Sequence, residues 1–248
     1  MKKKYKLKKK FIVLLIILFI FIPLIVSTIR IVKHKNANKK ITNILKETIK
    51  ENNTNEENVT NIVKELKNMN KDFVGVLSIP DTIINYPVMY TEGEDYYLRR
   101  SFDKKQSDAG TLFIDKHNNI DPIDDNIIIY GHNMKNGTMF HELLNYKKEN
   151  YYKEHKYIYF NKVDDSEKYE IISVFYSKVY YETDNVFKYY KFYNASNEEE
   201  LNDYVKNIKK LSLYNTNVNA KLGDKFITLS TCEYSQENGR FVVVAKKV

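Results

Sequence analysis

Two short runs near the C-terminus, Phe226-Ile227-Thr228-Leu229 and Phe241-Val242-Val243-Val244, are built of apolar or β-branched residues and separated by the polar stretch Glu233 to Gly239. That pattern suits two strands joined by a loop. Cys232 stands where the first strand gives way to the loop, and Arg240 where the second begins. Paired as antiparallel neighbours, the strands bring thiol and guanidinium out at the same end of a sheet. Cys232 is the only cysteine in 248 residues, so an internal disulfide is ruled out. It is a buried spectator, an intermolecular link or a reactive thiol, and its place at a strand end beside an arginine favours the last.

The N-terminus bears on where that thiol works. Phe11 to Ile29 is nearly continuous Ile, Leu, Phe and Val, long enough as a helix to cross about 30 Å of hydrocarbon. No small-x-small cleavage site follows, and the apolar core is longer than that of a signal peptide. An uncleaved transmembrane anchor over residues 11–32 is therefore expected. Lys2, Lys3, Lys4, Lys6, Lys8, Lys9 and Lys10 precede it, which predicts a cytoplasmic basic tail at 1–10 and an extracytoplasmic C-terminal domain. Arg30, Lys33, Lys35, Lys39 and Lys40 on the far side oppose that bias. The tail accounts for most of the net charge of +8. The remainder is close to neutral, and the electrostatic case for a nucleic-acid partner falls away.

Residues 33–72 read as a polar stalk and N-terminal helices, the clearest starting at Asn55 or Asn58 and carrying Val59, Ile62, Val63 and Leu66 at helical spacing up to Met69. Residues 73–248 read as one catalytic domain. Strands are expected at Phe73 to Ile79, Ile83 to Tyr90 (broken at Pro87), Gly110 to Asp115, Asn126 to Tyr130, Tyr157 to Phe160 and Tyr169 to Tyr181, besides the two at the C-terminus. Asp95 to Phe102 suits a short helical turn and Thr138 to Leu144 a short helix. Ser196 to Leu211, with Ser196 as cap, is an amphipathic helix with Leu201, Tyr204, Val205, Ile208 and Leu211 on its apolar stripe. About seven or eight strands with helices at the start and between late strands indicate a mainly β, closed β-barrel with helical decoration. No metal-ligand spacing and no cofactor motif is found.

A catalytic thiol works as thiolate and needs an imidazole, a cation or a helix N-terminus beside it. Of five histidines, His34 belongs to the stalk, His141 to an amphipathic turn and His155 to a Lys/Glu-rich surface stretch. His132 follows the most buried-looking strand, within Tyr130-Gly131-His132-Asn133; His117, after Asp115 at another strand end, is its competitor.

The segments IIIYGHNM at 127–134 and TLSTC at 228–232, the arginine at 240 and GTLFID at 110–115 together resemble the sortases, membrane-anchored cysteine transpeptidases of Gram-positive bacteria that attach proteins to the cell wall. The resemblance covers most of Phe73 to Val248. The N-terminal helices, the helix-bearing insertion between Tyr181 and Asp224 and the lack of a second apolar span match class B best. The resemblance implies His132, Cys232 and Arg240 as catalytic residues and Ser230 as a substrate-binding one, with no cofactor and no metal. It implies surface proteins bearing a C-terminal sorting signal and a peptidoglycan precursor amine as partners, with the chain cutting after Thr through a thioester. A secreted thiol peptidase that only hydrolyses, and a tethered binding domain with an inert Cys232, are the alternatives. An ion pair of Arg240 with Glu233 or Glu237 is the structural alternative for the guanidinium.

Overall fold

Eight strands close into a barrel in the computed structural model, which describes residues 19, 21, 22, 56–92 and 96–248. They are β1 (Phe73–Ser78), β2 (Asn85–Met89), β3 (Leu112–Ile114), β4 (Asn126–Tyr130), β5 (Tyr157–Lys162), β6 (Ser166–Lys178), β7 (Phe226–Cys232) and β8 (Gly239–Lys247). The order around the barrel is β1-β2-β3-β4-β7-β8-β6-β5, closed by β1 against β5. The pairs β2–β3 and β4–β7 are parallel and the rest antiparallel. Closure leaves no sheet edge to protect. Phe19, Phe21 and Ile22 are helical; the rest of the span expected at 11–32, the tail at 1–10 and the stalk as far as residue 55 lie outside the described residues. Among the described residues no helix is long and apolar enough to cross a membrane.

The unbroken apolar runs of β7 and β8 follow from burial on both faces. Ile227, Leu229, Phe241, Val243 and Ala245 point into the barrel, where they join Leu77, Val88, Leu112, Ile127, Ile129 and Phe160. Phe226, Val242 and Val244 point outward and are covered by Leu201, Tyr204 and Ile208 of a helix in the insertion. Each fully buried aliphatic or aromatic side chain of this kind contributes roughly 1.5–3 kcal/mol. α1 (Glu56–Met69) lies against β1 and β5, burying Val59, Val63 and Leu66. α2 (Glu149–Glu154) is short and follows a 3₁₀ segment, Phe140–Lys147, where a short helix was expected from Thr138.

The insertion helix is α3 (Glu198–Leu211), and its cap is Asn197 rather than Ser196. Asn197 is extended, and its Oδ1 accepts the Glu200 backbone N–H at 3.0 Å, while a Glu200 carboxylate oxygen accepts the Ser196 N–H at 2.8 Å. The reciprocal bonding moves the helix start one residue on from the serine. Pro87 does not break its strand. It lies within β2 opposite Val76, and β3 pairs with β2 only at Val88 and Met89, so the missing N–H falls beside the short strand rather than within that ladder.

Candidate active site

Strand registers alone bring the critical residues to one rim. In the parallel pair β4–β7, Tyr130 is level with Ser230, so the residues two further on, His132 and Cys232, leave the barrel at the same height. In the antiparallel pair β7–β8, Cys232 is opposite Arg240. His132, Cys232, Arg240 and Ser230 all line one groove of about 380 Å³, walled by Leu98, Tyr97, Tyr130, Tyr189 and Tyr190. Cys232 is a free cysteine and, as a residue, partly exposed.

Asp115 and His117 line the same groove but stand far along it. Asp115 donates its N–H to the carbonyl of Ile128 in the middle of β4, whereas His132 lies two residues beyond the end of that strand. The His117 Nδ1 is 2.9 Å from Asp115 Oδ1 and Tyr130 donates its hydroxyl to Oδ2, also at 2.9 Å. That carboxylate therefore orients His117 at the distal end, leaving His132 as the imidazole at the sulfur's end.

His132 is oriented from the short helical turn expected within Asp95 to Phe102. Its Nε2 donates to the Leu98 carbonyl at 2.8 Å. Leu98 sits in the 3₁₀ turn Tyr96–Arg99, whose Tyr97 is almost fully buried. The Tyr97 hydroxyl accepts from Asn70 Nδ2 and donates to Asp72 Oδ2, each at 2.8 Å, tying the turn to the end of α1. Burial pushes the Tyr97 phenol well above its ordinary pKa. For Asp72 burial acts upward too, but hydrogen bonds from Lys104 and Tyr97 outweigh it and hold the carboxyl below its usual range. The clamp is thus a phenol bonded to a carboxylate. Gly131, just ahead of His132, packs so tightly that a Cβ would meet Leu112 Cδ2 at 2.4 Å and Phe140 Cδ2 at 2.7 Å.

Cys232 is framed by its neighbours. Thr231 donates its hydroxyl to the Gly131 carbonyl at 2.7 Å, and Asn133 Nδ2 donates to the Cys232 carbonyl at 2.9 Å. Ser230 is fully buried beneath the groove, its Oγ 2.7 Å from the Tyr189 hydroxyl. Burial lifts the Tyr189 phenol well above its ordinary pKa even though Ser230 and Arg240 act the other way, so this floor stays uncharged and protonated. Arg240 Nη1 donates to the Gly239 carbonyl at 2.9 Å and reaches the Asn238 carbonyl at 3.4 Å. Asn238 adopts the left-handed region (φ 56°), which asparagine tolerates, and its carbonyl also accepts the Val179 N–H at 3.0 Å. The Glu233 carboxylate bonds Ser235 in its own loop. A guanidinium has five N–H donors, so the contacts to the loop leave donors over for a ligand in the groove.

Leu98, Asn133 and Tyr189 escaped sequence reasoning, and His141 was set aside as part of an amphipathic turn. Leu98, Asn133 and Tyr189 each act through a partner 34 or more positions away, and only Asn133, beside His132, stood where a motif could have flagged it.

The sortase domain family model matches residues 77–248 of this chain. The sortase B of Listeria monocytogenes is 36% identical over 188 residues, which is 75% of this chain and 74% of that protein. A crystal structure of a mutant form of Clostridium perfringens sortase B superposes with a TM-score of 0.75 at 29% identity, covering 85% of this chain and 98% of that one. A Staphylococcus aureus sortase B–substrate complex gives 0.73 at 29% identity, covering 87% and 97%. The chain belongs to the sortase family, among the class B enzymes, and is a cysteine transpeptidase.

Proposed function

We propose that this chain is anchored in the cell membrane by residues 11–32, with its catalytic barrel outside the cytoplasm, where it cleaves a C-terminal sorting signal after Thr and joins the released surface protein to a peptidoglycan amine. The observation that carries this is the meeting of Cys232, His132 and Arg240 at one rim of the barrel, lining a single groove. The apolar run and the seven lysines ahead of it support the anchor and its orientation.

Cys232 thiolate attacks the threonine carbonyl carbon, and the carbonyl oxygen takes up negative charge. With Nε2–H committed to Leu98, the second proton of His132 imidazolium sits on Nδ1 and passes to the departing amine as the intermediate collapses. The product is a thioester on Cys232. The incoming amine loses a proton to neutral His132 and attacks the thioester, and the thiolate leaves. Arg240 donates hydrogen bonds to the oxyanion or to substrate carbonyls. Ser230, sharing its hydroxyl with Tyr189, forms the floor on which the signal lies.

Incubating the full-length chain with a library of short Thr-containing peptides, with and without an added primary amine, tests this. Cleavage after Thr with transfer to the amine is the expected result. Cleavage with no aminolysis product at any amine concentration makes the chain a plain thiol peptidase, and no cleavage makes it neither.

A further inference from the structure

His132 and Asn133 are adjacent in sequence but serve different groups, and the second of them completes an interrupted ladder. Between β4 and β7 the last backbone bond runs from Gly131 N–H to the Ser230 carbonyl at 3.2 Å. In a parallel ladder the next carbonyl on that side of β7 is two residues on, that of Cys232, and the next donor would be the Asn133 backbone N–H. Asn133 lies instead opposite Met139 in an isolated antiparallel bridge, with the Met139 N–H donating to the Tyr86 hydroxyl. The Asn133 side chain takes over: Nδ2 donates to the Cys232 carbonyl at 2.9 Å, a bond reaching across 99 positions of sequence.

We infer that Asn133 is a positioning residue for Cys232, its amide held in the required orientation by His141. The inference rests on the function proposed above. Asn133 is nearly buried, and its Oδ1 lies 2.7 Å from His141 Nδ1. An amide oxygen only accepts, so Nδ1 carries a proton and donates. Turning the amide over would face Oδ1 to the Cys232 carbonyl oxygen, acceptor against acceptor, and waste the His141 proton. The 3₁₀ segment that carries His141 is itself fastened to the histidine loop, since Phe140 donates its N–H to the His132 carbonyl at 2.9 Å. Sulfur and imidazole are therefore hung from one frame, with β8 holding one edge of the Cys232 backbone and Asn133 the other. Thiolate and imidazolium stabilise each other only at close range, and misplacement by about 1 Å can cost on the order of a hundredfold in rate.

The test uses the full-length chain, a Thr-containing peptide that it cleaves, and single-turnover acylation of Cys232. Asn133→Ala and Asn133→Asp are expected to lower the acylation rate at saturating peptide by about tenfold or more with KM unchanged, the scale of one lost hydrogen bond. Asp falls further because its carboxylate faces the Cys232 carbonyl. His141→Leu is expected to lose rate in the same way, and His141→Asn, whose Nδ2 replaces the Nδ1 donor, to recover most of it. If the Asn133 variants do not fold, the His141 pair decides. Full-rate acylation by Asn133→Ala, or His141→Asn no better than His141→Leu, overturns the inference. A wild-type chain that forms no acyl-enzyme with any such peptide overturns the functional reading instead.

Discussion

The ring Nε2 of His132 lies 2.8 Å from the carbonyl oxygen of Leu98. A carbonyl only accepts, so Nε2 keeps its proton in both charge states, and the neutral ring presents Nδ1 as its basic atom. ¹⁵N NMR of the chain labelled at histidine should find neutral His132 in the Nε2–H tautomer. An Nδ1–H tautomer would mean that Leu98 does not orient the ring.

Gly110 has φ +59°, and a Cβ there would sit 2.5 Å from the Leu98 carbonyl oxygen and 2.7 Å from that of Tyr97. The obstacle is backbone, which cannot swing aside as a side chain could. Gly110→Ala should cost about 1–3 kcal/mol in urea unfolding from the left-handed backbone and the clash. It should also slow acylation beyond any loss of folded protein, because it displaces the atom that holds His132. Loss of stability with an unchanged rate per folded molecule would separate Leu98 from the chemistry.

Arg240 faces the groove opposite Cys232 in the β7–β8 register. Arg240→Ala should lower acylation by about 10²–10³-fold, the usual effect of deleting an oxyanion donor, with Cys232 still alkylated by iodoacetamide. Arg240→Lys, lacking the planar fork, should recover only part of the rate. An Arg240→Ala variant acylating within a fewfold of wild type would restrict the guanidinium to fastening its loop.

The legible part of the sequence was the part with local periodicity. Asn126–Tyr130 appears as a strand with the bounds expected, and β7 and β8 pair so that Cys232 meets Arg240. Apolar runs ending in one polar residue mark such strand ends because alternation and burial are local properties. The supporting shell was hidden. Leu98 meets His132 across 34 positions and Tyr189 meets Ser230 across 41, pairings that exist only once the barrel closes. The 3₁₀ turns Tyr96–Arg99 and Tyr189–Lys191 are too short to carry a period; the first surfaced as an aromatic stretch suited to a helical turn, and the second was missed. His141, read as part of an amphipathic turn, owes its contact with Asn133 to that turn folding back on the histidine loop.

Glu167 gives a stability prediction remote from the groove. It is buried and bonded by Lys247 at 2.8 Å, Lys162 at 2.9 Å and the Tyr169 hydroxyl at 2.8 Å. Burial raises its pKa, but the three partners outweigh that and the net direction is downward from the ordinary 4.5. A carboxyl whose pKa falls on folding adds stability above its unfolded value and loses it as pH drops toward the folded one. Glu167→Gln should therefore be less stable than wild type at neutral pH, with the gap narrowing below about pH 4.5. Urea titrations at a series of pH values read this directly, and a gap that widens in acid would reverse the assignment.

The most direct test of the central claim is the mass of the chain caught in the act. Full-length protein mixed with a cleavable Thr-containing peptide and quenched in acid within one turnover should gain the mass of the peptide's N-terminal fragment ending in Thr. The adduct should map to Cys232, be absent in Cys232→Ala and disappear when an amine is added. Peptide cleavage that persists in Cys232→Ala, or an adduct on any other residue, would contradict it.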